Sequence, residues 1–188
     1  MKMKIIVGIT GASGSIYAQR LVDKLANHPK QAMEVALIAS KCGVQVWAHE
    51  LGVPLPVGTN IEPFDNESFF SAPASGSAGY DAMVIIPCTM GTLGRISQGT
   101  STDLISRSAD VMLKERKKLV LVVRETPYSL VHIENMRMVT LAGGVILPAS
   151  PSFYSHPRNT IELIDTVVDR AIGMLGIPVE GYQWKGGK

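Results

Sequence analysis

The sequence predicts an α/β fold, an open parallel sheet with helices on both faces, three layers deep, in one domain spanning residues 1–188. Three observations lead there. Apolar runs of strand length alternate along the chain with segments of helical period. The runs are Val- and Ile-rich and nearly continuous, as strands buried on both faces are. Each ends in small, hydroxyl-bearing or charged residues, where a doubly wound sheet binds its ligands. At 188 residues, 46% hydrophobic and 18% charged, the chain can bury a core and fits one domain rather than two.

The first strand, Ile5-Ile6-Val7-Gly8-Ile9, stops at Thr10-Gly11-Ala12-Ser13-Gly14, and a helical pattern begins directly after it. Glycines there let the backbone turn sharply and approach a ligand, while unpaired amides and the helix dipole favour a phosphate. A tight turn without a ligand would read the same way. A dinucleotide site asks for G-x-G-x-x-G and an acidic residue about 20 positions on, at the end of the second strand. Here that strand, Glu34 to Ala39, runs into Ser40-Lys41, which suits a second phosphate contact better than a ribose diol. Between the two strands Ile16-Tyr17, Leu21 and Leu25 recur at helical spacing and Asn27-His28-Pro29 ends the helix, giving a βαβ unit.

A second helix is expected over Lys41 to Leu51. Gly52 to Gly79, Pro- and Gly-containing and without strong period except near Phe69-Phe70, reads as one long loop and so as a candidate functional element. Asp81 to Cys88 is a third strand, halted by Pro87, and Thr89-Met90-Gly91-Thr92 opens another helix as in the first turn. A fourth strand, Leu119 to Val123, ends in Arg124-Glu125-Thr126-Pro127, and a fifth is Gly144 to Pro148. The last helix, Thr160 to Leu175, carries Ile161, Ile164, Val168, Ile172 and Leu175 at helical spacing, with Arg170 on a different face. The strand endings predict that Ser13, Ser40, Thr89, Thr92, Arg124 and Glu125 face a common ligand.

Net charge of +2 and a pI near 8.5 are too mild for nucleic acid or a membrane surface. The basic run Lys114 to Lys118 reads as a solvated helix C-terminus. Positive mean hydropathy and nine Met predict apolar surface hidden between subunits, although a sheet covered on both faces raises hydropathy too. Cys42 and Cys88 share no C-x-x-C, and the four histidines form no ligand spacing, so neither a disulfide nor a metal is expected. The short, glycine-broken apolar start is the first strand rather than a leader, and a cytoplasmic location is expected.

Five motifs in order, Thr10-Gly11-Ala12-Ser13-Gly14, Pro73-Ala74-Ser75-Gly76-Ser77, Leu113-Lys114-Glu115-Arg116, Arg124-Glu125-Thr126-Pro127 and His132-Ile133-Glu134-Asn135-Met136, resemble the UbiX-type flavin prenyltransferases. The similarity runs from about residue 4 to residue 178 and takes in Ala149 to Tyr154. The resemblance implies a Rossmann/flavodoxin-like subunit in a dodecamer that joins the dimethylallyl group of dimethylallyl phosphate to N5 and C6 of reduced FMN. The prenylated FMN would be supplied to a UbiD-type decarboxylase; the flavin is a substrate, and no metal is needed.

The same resemblance assigns residues. Gly11, Ala12, Ser13, Ser40, Thr89, Met90, Gly91, Thr92 and Arg124 would contact FMN; a helix N-cap is an equally good reading of Ser13. Glu125, Ser13, Lys114 and Arg107 would be catalytic, and Tyr154, Arg170, Lys114, Glu50 and Trp184 would bind the allyl substrate. Cations and a phenol suit a leaving phosphate, and preorganised positive charge lowers the barrier to breaking the allylic C–O bond. A guanidinium at a strand end is expensive to bury unpaired, which favours a functional Arg124. Glu125, between flavin and phosphate, would be buried and shuttle a proton; a salt bridge to a nearby Arg is compatible. Lys114 and Arg170 taken singly also suit solvated helix faces. Phe69-Phe70 stand where the family often has Trp, leaving more of any cation–π support to Trp184. Thr89-Met90 replaces a common Ser-Thr, which would set an apolar side chain beside the ligand. Two other readings are an FMN-dependent cysteine decarboxylase, kept open by His49 but lacking a Pro-Ala-Ser-Ala-Asn-Thr loop, and a flavin carrier subunit.

Overall fold

The computed structural model describes residues 2–28 and 33–179. Six parallel strands form one sheet: β1 (Met3–Ile9), β2 (Met33–Ala39), β3 (Ile61–Asp65), β4 (Ala82–Cys88), β5 (Lys118–Val123) and β6 (Val145–Pro148), in the order β3-β2-β1-β4-β5-β6. The order reverses between β1 and β4, so the crevice that such sheets use for ligands opens beyond Ile9 and Cys88.

Side-chain alternation in the central strands divides the core in two. Ile5, Val7 and Ile9 pack under α1 (Ser15–Ala26), α2 (Lys41–Leu51) and α6 (Thr160–Leu175). Ile6, Ile38, Met83 and Ile85 point the other way, under α3 (Met90–Ser97), α4 (Leu104–Lys114) and α5 (Leu130–Leu141). All of β4 is buried, which explains its unbroken apolar run. Across the first face, Arg20 forks onto Asp165 at 3.0 and 2.7 Å and Lys24 reaches the same carboxylate at 3.1 Å, tying α1 to α6.

The expected five strands become six, because the stretch from Gly52 to Gly79 is not one loop. It contains β3, and two short 3-10 turns at Ala72–Ala74 and Gly76–Ala78. β3 reads Ile-Glu-Pro-Phe-Asp and buries only Ile61 fully, so it has no apolar run to betray it. It lies at the sheet edge, where Pro63 costs no ladder bond. No helix among the described residues is long and apolar enough to cross a membrane.

Candidate active site

Thr10 stitches the two strands that flank the crevice. Its hydroxyl donates to the Pro87 carbonyl at 2.7 Å and accepts the Thr89 amide at 2.9 Å. The start of α2 presses on the same turn: the Ser40 amide donates to the Ile9 carbonyl at 2.9 Å. A Cβ on Gly11 would stand 2.6 Å from the Cys42 Cβ, and one on Gly43 would stand 2.6 Å from the Ile9 carbonyl oxygen. Both glycines are therefore required by the close approach of α2 to the turn.

The positive end of α1, expected to hold a phosphate, is already occupied. Glu50, from the last turn of α2, accepts the Gly14 amide at 3.0 Å and the Ser15 amide at 2.7 Å. Burial pushes the Glu50 carboxyl up, but hydrogen bonds from the Ser13 hydroxyl and the Ser15 and Gly14 amides outweigh it and hold the group below the usual carboxylate range. Glu50 thus caps α1 and fixes Ser13, and the phosphate expectation moves to the other two helix starts. Those are capped by hydroxyls: Ser40 accepts the Gly43 amide at 3.0 Å, and Thr89 the Thr92 amide at 3.2 Å.

Within the Thr89–Thr92 turn Gly91 is exposed, whereas the Met90 side chain is packed in the α3-side core. Met90 therefore offers only backbone, contrary to the apolar neighbour expected beside the ligand. The end of β5 joins the crevice through the Arg124 amide, which donates to the Cys88 carbonyl at 3.2 Å. Arg124 and Glu125 are both exposed, and the Thr126 amide donates to the Glu125 carboxylate at 2.9 Å. The burial argued for both groups is absent from a single subunit. Arg124 stands close enough to Tyr17 for its charge to oppose the upward push that burial gives that phenol.

Lys114, expected beside the allyl phosphate, does not join the crevice of its own chain. Lys114 ends α4 and pairs with Glu115; its ammonium would lie 3.1 Å from a Cβ on Gly76. That 3-10 turn sits at the amino edge of the sheet, where Lys4 donates to the Ala78 carbonyl at 2.8 Å. A seven-residue strand spans about 20 Å, which separates Lys114 from Ser13. Arg107, on the outer side of α4, donates to the Ala74 carbonyl at 3.1 Å and pairs with Asp110 at 2.8 Å. Tyr154 lies exposed in the connection from β6 to α6. Arg170 stands on α6 about 15 Å from that helix's start, lining a groove of about 650 Å³ with Ser150, Ser152 and Ser155. Those serines were not singled out from the sequence, where nothing but their place in the stretch around Tyr154 marks them. Trp184 lies outside the described residues.

A family model described as Flavoprotein matches residues 1–175. The chain belongs to the flavoprotein family. Within it, this flavoprotein is 42% identical over 177 residues to the flavin prenyltransferase UbiX of Methanocaldococcus jannaschii, covering 93% of this chain and 94% of that one. It is 41% identical to UbiX of Pseudomonas aeruginosa over 93% and 90% of the two chains. The crystal structure of AnUbiX (PadA1) in complex with FMN and dimethylallyl pyrophosphate superposes with a TM-score of 0.92 at 34% identity over the full length of both chains. A dodecameric FMN-dependent UbiX-like decarboxylase from Escherichia coli O157:H7 gives 0.91 at 35% identity, covering 98% of this chain and 100% of that one. The peptidyl-cysteine decarboxylase EpiD, at 0.57 and 14%, shares the fold alone. The flavoprotein's crevice suits a flavin phosphate: two hydroxyl-capped helix starts, at Ser40 and Thr89, flank it.

Proposed function

We propose that this flavoprotein is a flavin prenyltransferase, joining the dimethylallyl group of dimethylallyl phosphate to N5 and C6 of reduced FMN. The observation that carries the reading is its full-length likeness, at 34% identity, to AnUbiX (PadA1) holding both FMN and dimethylallyl pyrophosphate. Reduced FMN supplies the nucleophilic N5 and C6. Gly11, Ala12 and Ser13 hold the ring, with Ser13 locked by Glu50, and Ser40, Thr89, Met90, Gly91, Thr92 and Arg124 bind the remainder. Glu125 would handle the protons of the second bond: the prenyl double bond left after attachment at N5 must gain a proton at C2 to make C3 electrophilic, and C6 gives one up as C3 joins it. Arg107, Lys114, Tyr154 and Arg170 stabilise the departing phosphate as the C–O bond breaks, so positive charge does the work a metal would otherwise do.

Lys114 serves a neighbouring copy. Lys114 stands at the opposite edge of the sheet from the crevice, and Arg124 and Glu125 gain the burial their roles require only under a second chain. The surface supports such contacts: Leu130, Val131, Ile133 and Leu141 of α5, with Phe153, are each at least half exposed. The assembly is a homododecamer, like the E. coli relative. The chain is one domain over residues 1–188, cytoplasmic, and its product serves a UbiD-type decarboxylase. A cysteine decarboxylase of the Pro-Ala-Ser-Ala-Asn-Thr type would carry Ala at position 76, where a Cβ displaces the Lys114–Glu115 pair.

Anaerobic incubation with reduced FMN and dimethylallyl phosphate, followed by mass spectrometry of the extracted flavin, tests this reading. A gain of one C5 unit, absent with Glu125→Gln, is expected. Unmodified flavin with both phosphate and diphosphate donors, despite bound FMN, refutes it.

A further inference from the structure

Arg95 lies one turn below the Thr89–Thr92 segment and has no part in the chemistry above. Its guanidinium is poorly satisfied. One terminal nitrogen, Nη2, donates to the Thr92 hydroxyl at 3.1 Å and stands 3.4 Å from the Asp103 carboxylate. That contact is long and uses only Oδ2; the other oxygen, Oδ1, caps α4, accepting the Ser106 amide at 2.7 Å and the Ser106 hydroxyl at 2.6 Å. Nε is buried with no acceptor among the described residues. The second terminal nitrogen, Nη1, lies 3.9 Å from where a Cβ on Gly91 would be, on the exposed side of the turn. A guanidinium has five N–H donors, and a half-buried one that uses only part of them calls for an anion.

The surroundings locate that anion. The Thr92 hydroxyl that Arg95 holds at 3.1 Å also meets the Thr89 hydroxyl at 3.0 Å, which sets the guanidinium beside the capped first turn of α3. The Met90 and Gly91 amides lie at the start of α3, ahead of the Thr92 amide that Thr89 caps. The α1 start is closed to anions by Glu50, whereas α3 carries no carboxylate in its first turn. We propose that Arg95 binds the 5′-phosphate of FMN against the first turn of α3, making it a residue by which this protein selects FMN over riboflavin. This inference rests on the flavin-binding reading given above.

Titrating the full-length assembled protein with FMN and with riboflavin, by flavin fluorescence, tests it. Arg95→Gln is expected to weaken FMN about tenfold or more, to leave riboflavin within about twofold, and Arg95→Lys to recover part of the loss. Equal weakening of both flavins would make Arg95 merely structural and overturn the proposal. So would unchanged FMN affinity, including the case where Arg95→Gln alters only the KM for dimethylallyl phosphate. If the unsubstituted protein binds neither flavin, the flavin-binding reading itself fails, and that result needs no variant to recognise.

Discussion

Glu50 decides which helix start can meet an anion. Its carboxylate satisfies two α1 amides and receives the Ser13 hydroxyl, so a residue that looks like a surface acid from its place on α2 organises the turn between β1 and α1. Because its folded value is lowered below the ordinary 4.5, its stabilisation is complete above that ordinary value and vanishes as the pH falls through the lowered one. Glu50→Gln is expected to cost about 1 kcal/mol near neutrality, a cap's worth discounted for exposure, and progressively less in acid. Thermal melts across pH check this, and a deficit independent of pH would contradict it. Gly11→Ala is the harsher change: its Cβ meets the Cys42 Cβ at 2.6 Å and must push α2 off the turn. A loss of about 1 to 3 kcal/mol is expected, with weakened FMN binding by titration.

At the scale of elements, α1 and α6 are held by charge as well as by apolar contact. Burial pushes the Asp165 carboxyl up, yet hydrogen bonds from Arg20 and Lys24 hold it below the usual range. Asp165→Asn is expected to cost about 1 to 2 kcal/mol at neutral pH, an effect that fades as acid protonates the native carboxylate; denaturant unfolding at two pH values measures it. The central strands were legible because buried parallel strands are apolar without interruption, and β4 is the clearest case. β3 was not, since an edge strand pays little for Glu62, Pro63 and Asp65. The crevice turns were legible from glycines and hydroxyls at strand ends. That Glu50 would reach back to cap α1 was not, because the contact joins residues 35 positions apart through the packing of two helices.

At the scale of the whole molecule, the proposed site shared with a second chain rests on the position of Lys114 beside Gly76, toward the amino ends of the strands and away from the crevice. The exposed apolar residues of α5 mark the surface on which that second chain is expected to sit. Leu141, 70% exposed, is a direct probe of it. Leu141→Glu is expected to give a folded, dissociated subunit without prenyl transfer, read by sedimentation and by flavin mass; a fully active monomer would refute the shared site. The most direct measurement is complementation. Glu125→Gln and Lys114→Ala, each inactive alone, are co-expressed so that mixed assemblies form. If one chain's crevice works with another chain's lysine, some interfaces regain a complete site and prenylated FMN reappears. Mixed assemblies that remain as inactive as either variant would contradict a site shared between subunits.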